Sequence, residues 1–143
     1  MNNYICYLKG VKQDKLIINL LAKIFRCNKE TITDLLENET TQIKFENRVL
    51  DNVSEFQTEL NVYIDGDIKT VFLNNLLFGI EISKHLGEEV IVNSNFNDPY
   101  QWILIKNDLF FLVDEIDNDT YGISIKESSK TKMSYKDLIR DSS

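Results

Sequence analysis

The sequence predicts an α+β fold: a single domain with a mostly antiparallel sheet, ending in a β-meander, packed against a long central helix and N-terminal helices. Three observations carry that prediction. Residues 56–64, FQTELNVYI, alternate apolar and polar side chains, the mark of a strand with one packed face and one wet face. Residues 65–87, DGDIKTVFLNNLLFGIEISKHLG, space Ile68, Phe72, Leu76 and Ile80 at helical intervals, with Leu73 and Leu77 beside them. Three apolar runs at 100–105, 109–116 and 121–126 are joined by the turn-forming strings ND and DNDT, which together read as a meander. The 143 residues are 43% hydrophobic and 27% charged, ordinary for a globular chain. A chain of that length buries roughly 68–70% of its unfolded surface.

The remaining elements follow in order. Residues 4–8, YICYL, form a strand that stops at Gly10. Residues 14–27 form a helix capped by Asp14, with Leu16, Leu20 and Ile24 beside Ile17, Leu21 and Phe25 as a broad apolar stripe. Residues 28–38, NKETITDLLEN, predict a second short helix capped by Asn28, its Ile32, Leu35 and Leu36 inward and its end at Asn38. In residues 42–49, Ile43, Phe45 and Val49 take one side of a strand, and Asn47 interrupts that apolar face. Residues 1–50 thus read as a strand–helix–helix–strand subdomain, an order similar to the small domain at the end of the bacterial ribosomal stalk protein, without its glycine-rich turn. Asp67 caps the central helix and Gly87 ends it in the left-handed conformation. Gly79 costs that helix about 1 kcal/mol relative to alanine, so a close helix–sheet contact is expected there. The strand at 88–94 would complete a βαβ-like unit, right-handed if its strands are parallel neighbours. Ser134, with Asp137 three residues on, caps one or two final helical turns.

Charge is distributed unevenly. The net charge is −7. Residues 1–55 carry eight basic and eight acidic side chains, residues 56–125 three basic and twelve acidic, and residues 126–143 five basic and three acidic. The middle of the chain therefore holds the negative field, which speeds encounter with a basic partner and argues against direct contact with nucleic acid. No apolar run reaches the length of a membrane span, and the N-terminus lacks a signal-peptide pattern; a cytoplasmic protein is expected. Cys6 and Cys27 fit packing positions in a reducing compartment.

Catalytic and metal chemistry find little support. A calcium loop starting at Asp117 would keep Asp119 and Gly122 but fails at Tyr121 and Ser128; a hairpin turn at 117–120 accounts for these residues without a metal. The only histidine, His85, sits at a helix C-terminus, where it favours the dipole. No Walker loop, GxGxxG, GxSxG or HExxH occurs. No catalytic residue, metal or cofactor is therefore expected.

Binding is the remaining class. Asp114, Glu115, Asp117 and Asp119 fall within six positions, and no Lys or Arg occurs between Asn107 and Gly122. Tyr63, Tyr100, Trp102 and Tyr121 come from the same half of the chain, and aromatics flanked by acids suit a recognition surface.

The string ELNVYIDGD…NNLLFGIEISKHLGEEVIVNSNFNDPYQWILIKNDLFFLVDEIDNDTYGISI resembles small immunity proteins of bacterial contact-dependent inhibition and other polymorphic toxin systems. The resemblance covers residues 56–125. It implies a non-catalytic cytosolic protein that binds one cognate toxin domain, often a basic nuclease, and blocks its active site or substrate groove. The acidic surface would then compete with phosphate. The expected contacts are Asp114, Glu115, Asp117, Asp119 and Tyr121, followed by Glu59 and Tyr63 on the wet face of the strand at 56–64. The alternative is a regulatory or scaffold module that binds another basic protein or peptide.

Overall fold

The computed structural model describes residues 2–37, 40–66, 68, 71–94 and 98–140, the last without its side chain. The fold is α+β. Strands β1 (Asn2–Lys9), β2 (Ile32–Asp34), β3 (Ile43–Val49), β4 (Phe56–Ile64), β5 (Val90–Asn93), β6 (Gln101–Lys106), β7 (Leu109–Glu115) and β8 (Ile125–Met133) form one eight-stranded sheet. Its order is β2-β3-β4-β1-β5-β6-β7-β8. Neighbours pair antiparallel, except β2 with β3. The first strand is thus central, and β5 to β8 form a meander that takes in the strand at 88–94 as well as the first two predicted meander strands, while the third predicted strand at 121–126 is replaced by β8, which starts only at Ile125. β4 and β5 run the same way because each is antiparallel to β1, which lies between them. The predicted βαβ-like unit is therefore split by an inserted strand.

Helices α1 (Asp14–Phe25), α2 (Asn75–Leu86) and α3 (Tyr135–Arg140) contribute to the main core against one face of the sheet. Tyr4, Cys6 and Leu8 of β1 and Leu60, Val62 and Ile64 of β4 face that core. The opposite face carries a smaller cluster of Phe56, Ile91, Trp102, Leu104, Val113, Ile123 and Ile125. Phe56 reaches this second cluster because the β1–β4 ladder shifts register at Leu8/Lys9, and such an irregularity reverses side-chain alternation.

Several sequence expectations are corrected. The long central helix is not observed: α2 has 12 residues and starts after Asn74, whose Oδ1 accepts from the Leu77 amide at 2.9 Å. Upstream, the Tyr4 hydroxyl donates to the Phe72 carbonyl at 2.6 Å and accepts from the Phe72 amide at 2.9 Å. Those backbone groups are satisfied by a tertiary contact and need no helical ladder. Leu73, placed on the apolar stripe from sequence, is exposed. The proposed Asp67 cap lies outside the described residues.

The second helix is also replaced. A 3-10 turn, Lys29–Thr31, leads into β2, which pairs with Ile43, Lys44 and Phe45. Asp34 Oδ1 then accepts from the Leu36 amide at 2.8 Å, a local side-chain bond that favours a turn over a helix. Leu36 is almost wholly exposed and Leu35 partly so, while Ile32 is buried as expected. The architectural likeness to the ribosomal stalk domain loses its second helix here.

Smaller corrections concern caps and ends. Gln13, without a side-chain cap, precedes α1; Asp14 is its first residue and accepts from Asn47 Nδ2 at 2.9 Å. Leu16 and Val49 are more exposed than their periodicity predicts. The β7–β8 connection is longer than a turn at 117–120, since Glu115 pairs with Ile125 and the Ile116 amide donates to the Ser124 carbonyl. β8 runs on to Met133 through sequence too polar to read as a strand. Other expectations hold. An alanine Cβ at Gly79 would lie 2.7 Å from Val92 Cγ1, confirming the tight helix–sheet approach. Gly87 ends α2 at φ 68, and Ser134 and Asp137 exchange amide-to-side-chain bonds of 3.1 and 3.3 Å. Among the described residues, no helix is long and apolar enough to cross a membrane.

Candidate binding surface

The helix-free face of the sheet carries the best-defined site. Period-two alternation sends Tyr7 of β1, Glu59 of β4 and Trp102 of β6 to this side. Tyr7 and Trp102 meet edge to face, with ring centroids 5.0 Å apart. Each holds a carboxylate: the Tyr7 hydroxyl donates to Glu59 Oε2 at 3.0 Å, and Trp102 Nε1–H donates to Glu115 Oε1 at 2.9 Å. Asn61 Nδ2 donates to Glu59 Oε1 at 2.8 Å. Arg48 Nη1 lies 3.7 Å from the same oxygen. Tyr7, Arg48, Glu59, Trp102 and Glu115, together with Tyr121 and Ile123, border an open cavity of about 500 Å³. Burial, followed by the negative charge of Glu59 and its hydrogen bond, pushes the Tyr7 hydroxyl well above its ordinary pKa, so it stays a proton donor.

One rim of the cavity is built by a junction far apart in sequence. Phe56 and Ile123 exchange backbone hydrogen bonds of 2.7 and 3.1 Å. Asp51 Oδ2 accepts from the Gly122 amide at 2.7 Å and from Ser54 Oγ at 2.7 Å, and Asp51 Oδ1 from the Val53 and Ser54 amides. Burial raises the Asp51 carboxyl, but these bonds from Ser54, Gly122 and Val53 outweigh it and hold the pKa at about 2, below the ordinary 3.8. A carboxyl lowered in the folded state stabilises it fully above the unfolded value and loses that effect as pH falls towards the folded one. The junction is therefore expected to weaken as pH drops from 3.8 towards about 2, and Asp51→Asn to remove that pH dependence. The amide resonance of Gly122 followed by NMR through acid titration checks both.

The structure divides the residues singled out from sequence. Glu59, Glu115 and Tyr121 border the cavity. Tyr63 lies further along the same face of β4, beside a second depression with Leu35, Lys44 and Asp65. Asp114 does not join Glu115: it pairs with Gln101 and Lys126 in the ladder, and adjacent strand residues point to opposite faces. Asp117 and Asp119 sit on the exposed loop between β7 and β8. Among the described residues, no ion pair engages Asp114, Glu115, Asp117 or Asp119. Tyr121 is 86% exposed and Trp102 only 8%; Trp102 is both core and cavity wall. Sequence reasoning missed Tyr7, Arg48 and Asp51, whose roles arise from strand order and loop docking.

His85 is exposed at the end of α2, its Nδ1 2.9 Å from the Glu81 carbonyl oxygen. Cys6 is fully buried, and Cys27 packs at the edge of the main core. Among the described residues, no group of three or more His, Cys, Asp or Glu side chains is placed to hold a metal ion. No family model, curated protein or solved structure matches the chain.

Proposed function

We propose that this protein is a non-catalytic immunity protein of the cytoplasm. It binds a basic toxin domain, in the first instance a nuclease, through the helix-free face of its sheet and the acidic loop at its rim. One observation carries the reading: Asp117 and Asp119 are exposed and, among the described residues, unpaired with any cation, directly beside the exposed Tyr121. Fixed, solvated negative charge of this kind raises association rates with cationic proteins, and an exposed aromatic beside it supplies contact area. Held over a nuclease's basic groove, the loop would occupy the place of substrate phosphate.

Co-expression with the reading frame immediately upstream tests the biological claim. Rescue of growth and co-purification of a stable pair are expected. Recovery of a housekeeping complex instead would favour a regulatory or scaffold role for the same surface. For the surface itself, the double variant Asp117→Lys, Asp119→Lys is expected to slow association about tenfold at low salt and flatten its salt dependence. Thermal unfolding should be nearly unchanged, because both side chains lie on a solvated loop. Stopped-flow association across a salt series is the measurement; an unchanged rate and slope would remove this loop from the interface.

A further inference from the structure

We propose that the cavity between Tyr7, Glu59, Trp102 and Glu115 receives one arginine side chain of the protein partner, and that Arg48 partly holds that place in the free protein. The partner's identity rests on the function proposed above, whereas the cavity's preference follows from its own chemistry.

Three features select a guanidinium. First, the two carboxylates are fixed in advance. Glu59 is held by Tyr7 and Asn61, and Glu115 by Trp102, so little side-chain freedom is lost when a cation enters. Trp102 engages one Glu115 oxygen, Oε1, and among the described residues the other accepts no hydrogen bond, which leaves it for an incoming fork. Second, Tyr7, Trp102 and Tyr121 border the same space. Aromatic faces attract cations, and the planar guanidinium stacks on them while bonding carboxylates, which an ammonium does less well. Third, the chain already brings a guanidinium there. Arg48 approaches Glu59 from the rim at 3.7 Å, too long for a hydrogen bond, and its side chain is 61% exposed. An exposed pair of that kind adds little stability, so a better-seated arginine displaces it readily. With Arg48 swung out, two carboxylates face the cavity, and among the described residues no other lysine or arginine lines it. The opening is broad, which suits a long side chain carried on a protein surface.

The protein has one tryptophan, and its indole N–H bonds a cavity carboxylate, so the indole resonance reports entry directly. The probes are N-acetyl-arginine amide, its citrulline analogue and N-acetyl-lysine amide, titrated into the full chain and followed by NMR. A saturable shift with the arginine compound is expected, none with citrulline, and a several-fold weaker response with lysine. Arg48→Met should strengthen arginine binding by about two- to fivefold, the worth of a weak exposed ion pair. Glu115→Gln keeps an acceptor for the indole and should weaken it about tenfold. Equal responses to arginine and citrulline, or an arginine response untouched by Glu115→Gln, would overturn the assignment. So would the lack of any saturable shift in both the native chain and Arg48→Met. The two readings fail separately. Arginine entry without a toxin partner refutes the immunity role and keeps the cavity. A toxin bound through Asp117 and Asp119, with no arginine response, keeps the role and refutes the cavity.

Discussion

Replacing Phe78 with alanine is expected to lower the free energy of unfolding by about 3–5 kcal/mol. Phe78 is fully buried on α2. Its ring stacks on Tyr4 at 5.2 Å and 18°, lies 6.3 Å from Phe25 of α1 and meets Phe72 edge-on at 5.9 Å. One side chain therefore joins the central strand, the first helix and the non-helical residues just before α2. Truncation leaves a cavity bordered by three rings, and aromatic walls collapse poorly onto a void. The same ring cluster surrounds the Tyr4 hydroxyl that holds the Phe72 backbone, so part of the loss comes from loosening that clamp. Urea denaturation should show a lower midpoint with an unchanged slope. A loss below about 1 kcal/mol, against the range expected for a buried phenylalanine, would mean that the cluster repacks freely and the clamp is independent of it.

That clamp also shows where the sequence stops being legible. The alternation in residues 56–64 could be read because nearly every residue obeys one local rule: one face packs and the other is wet. Phe56 departs at a register shift that no local pattern encodes, and Asn61, on the face read as wet, is buried. The apolar run from Ile68 to Leu77 fits a helix equally well with or without its first turns. What decides is Tyr4, 68 residues earlier, whose hydroxyl binds both backbone groups of Phe72 outside any helix. The strand Ile32–Asp34 is similar: its residues tolerate a helix, and pairing with Ile43–Phe45 decides otherwise.

The site divides along the same line. Composition pointed to an acidic and aromatic surface, and Glu59, Glu115 and Tyr121 do meet at one cavity. The grouping of Asp114 with Glu115 came from adjacency in sequence, which in a strand means opposite faces. Tyr7 and Arg48 become neighbours of Glu59 only because β1 and β3 flank β4. A local pattern cannot give strand order, so these two residues had no signal in the sequence.

Gly122→Ala is expected to cost about 2–3 kcal/mol, the range for forcing an added carbon into a packed site. The new Cβ would lie 2.7 Å from Ser54 Cβ, 2.8 Å from the Phe56 carbonyl oxygen and 2.9 Å from Asp51 Oδ1. None of these is the free end of a long side chain. The Phe56 oxygen belongs to the backbone and already accepts from the Ile123 amide, and Ser54 and Asp51 bond one another. Gly122 cannot retreat without stretching the 2.7 Å bond from its amide to Asp51. Gly79 is the useful contrast, since its nearest atoms are side-chain methyls of Val92 and Ile105 and not backbone, although both residues are buried in the core. Because Tyr121 and Ile123 flank Gly122 and border the cavity, the damage should extend beyond stability. The rim that carries Tyr121 should shift, and partner affinity should fall even under conditions where the variant is fully folded. Chemical denaturation measures the first effect and titration with the partner well below the unfolding midpoint measures the second. A destabilised variant with native affinity would separate the 51–122 junction from the binding surface, leaving the carboxylates on β4 and β7 to carry recognition alone.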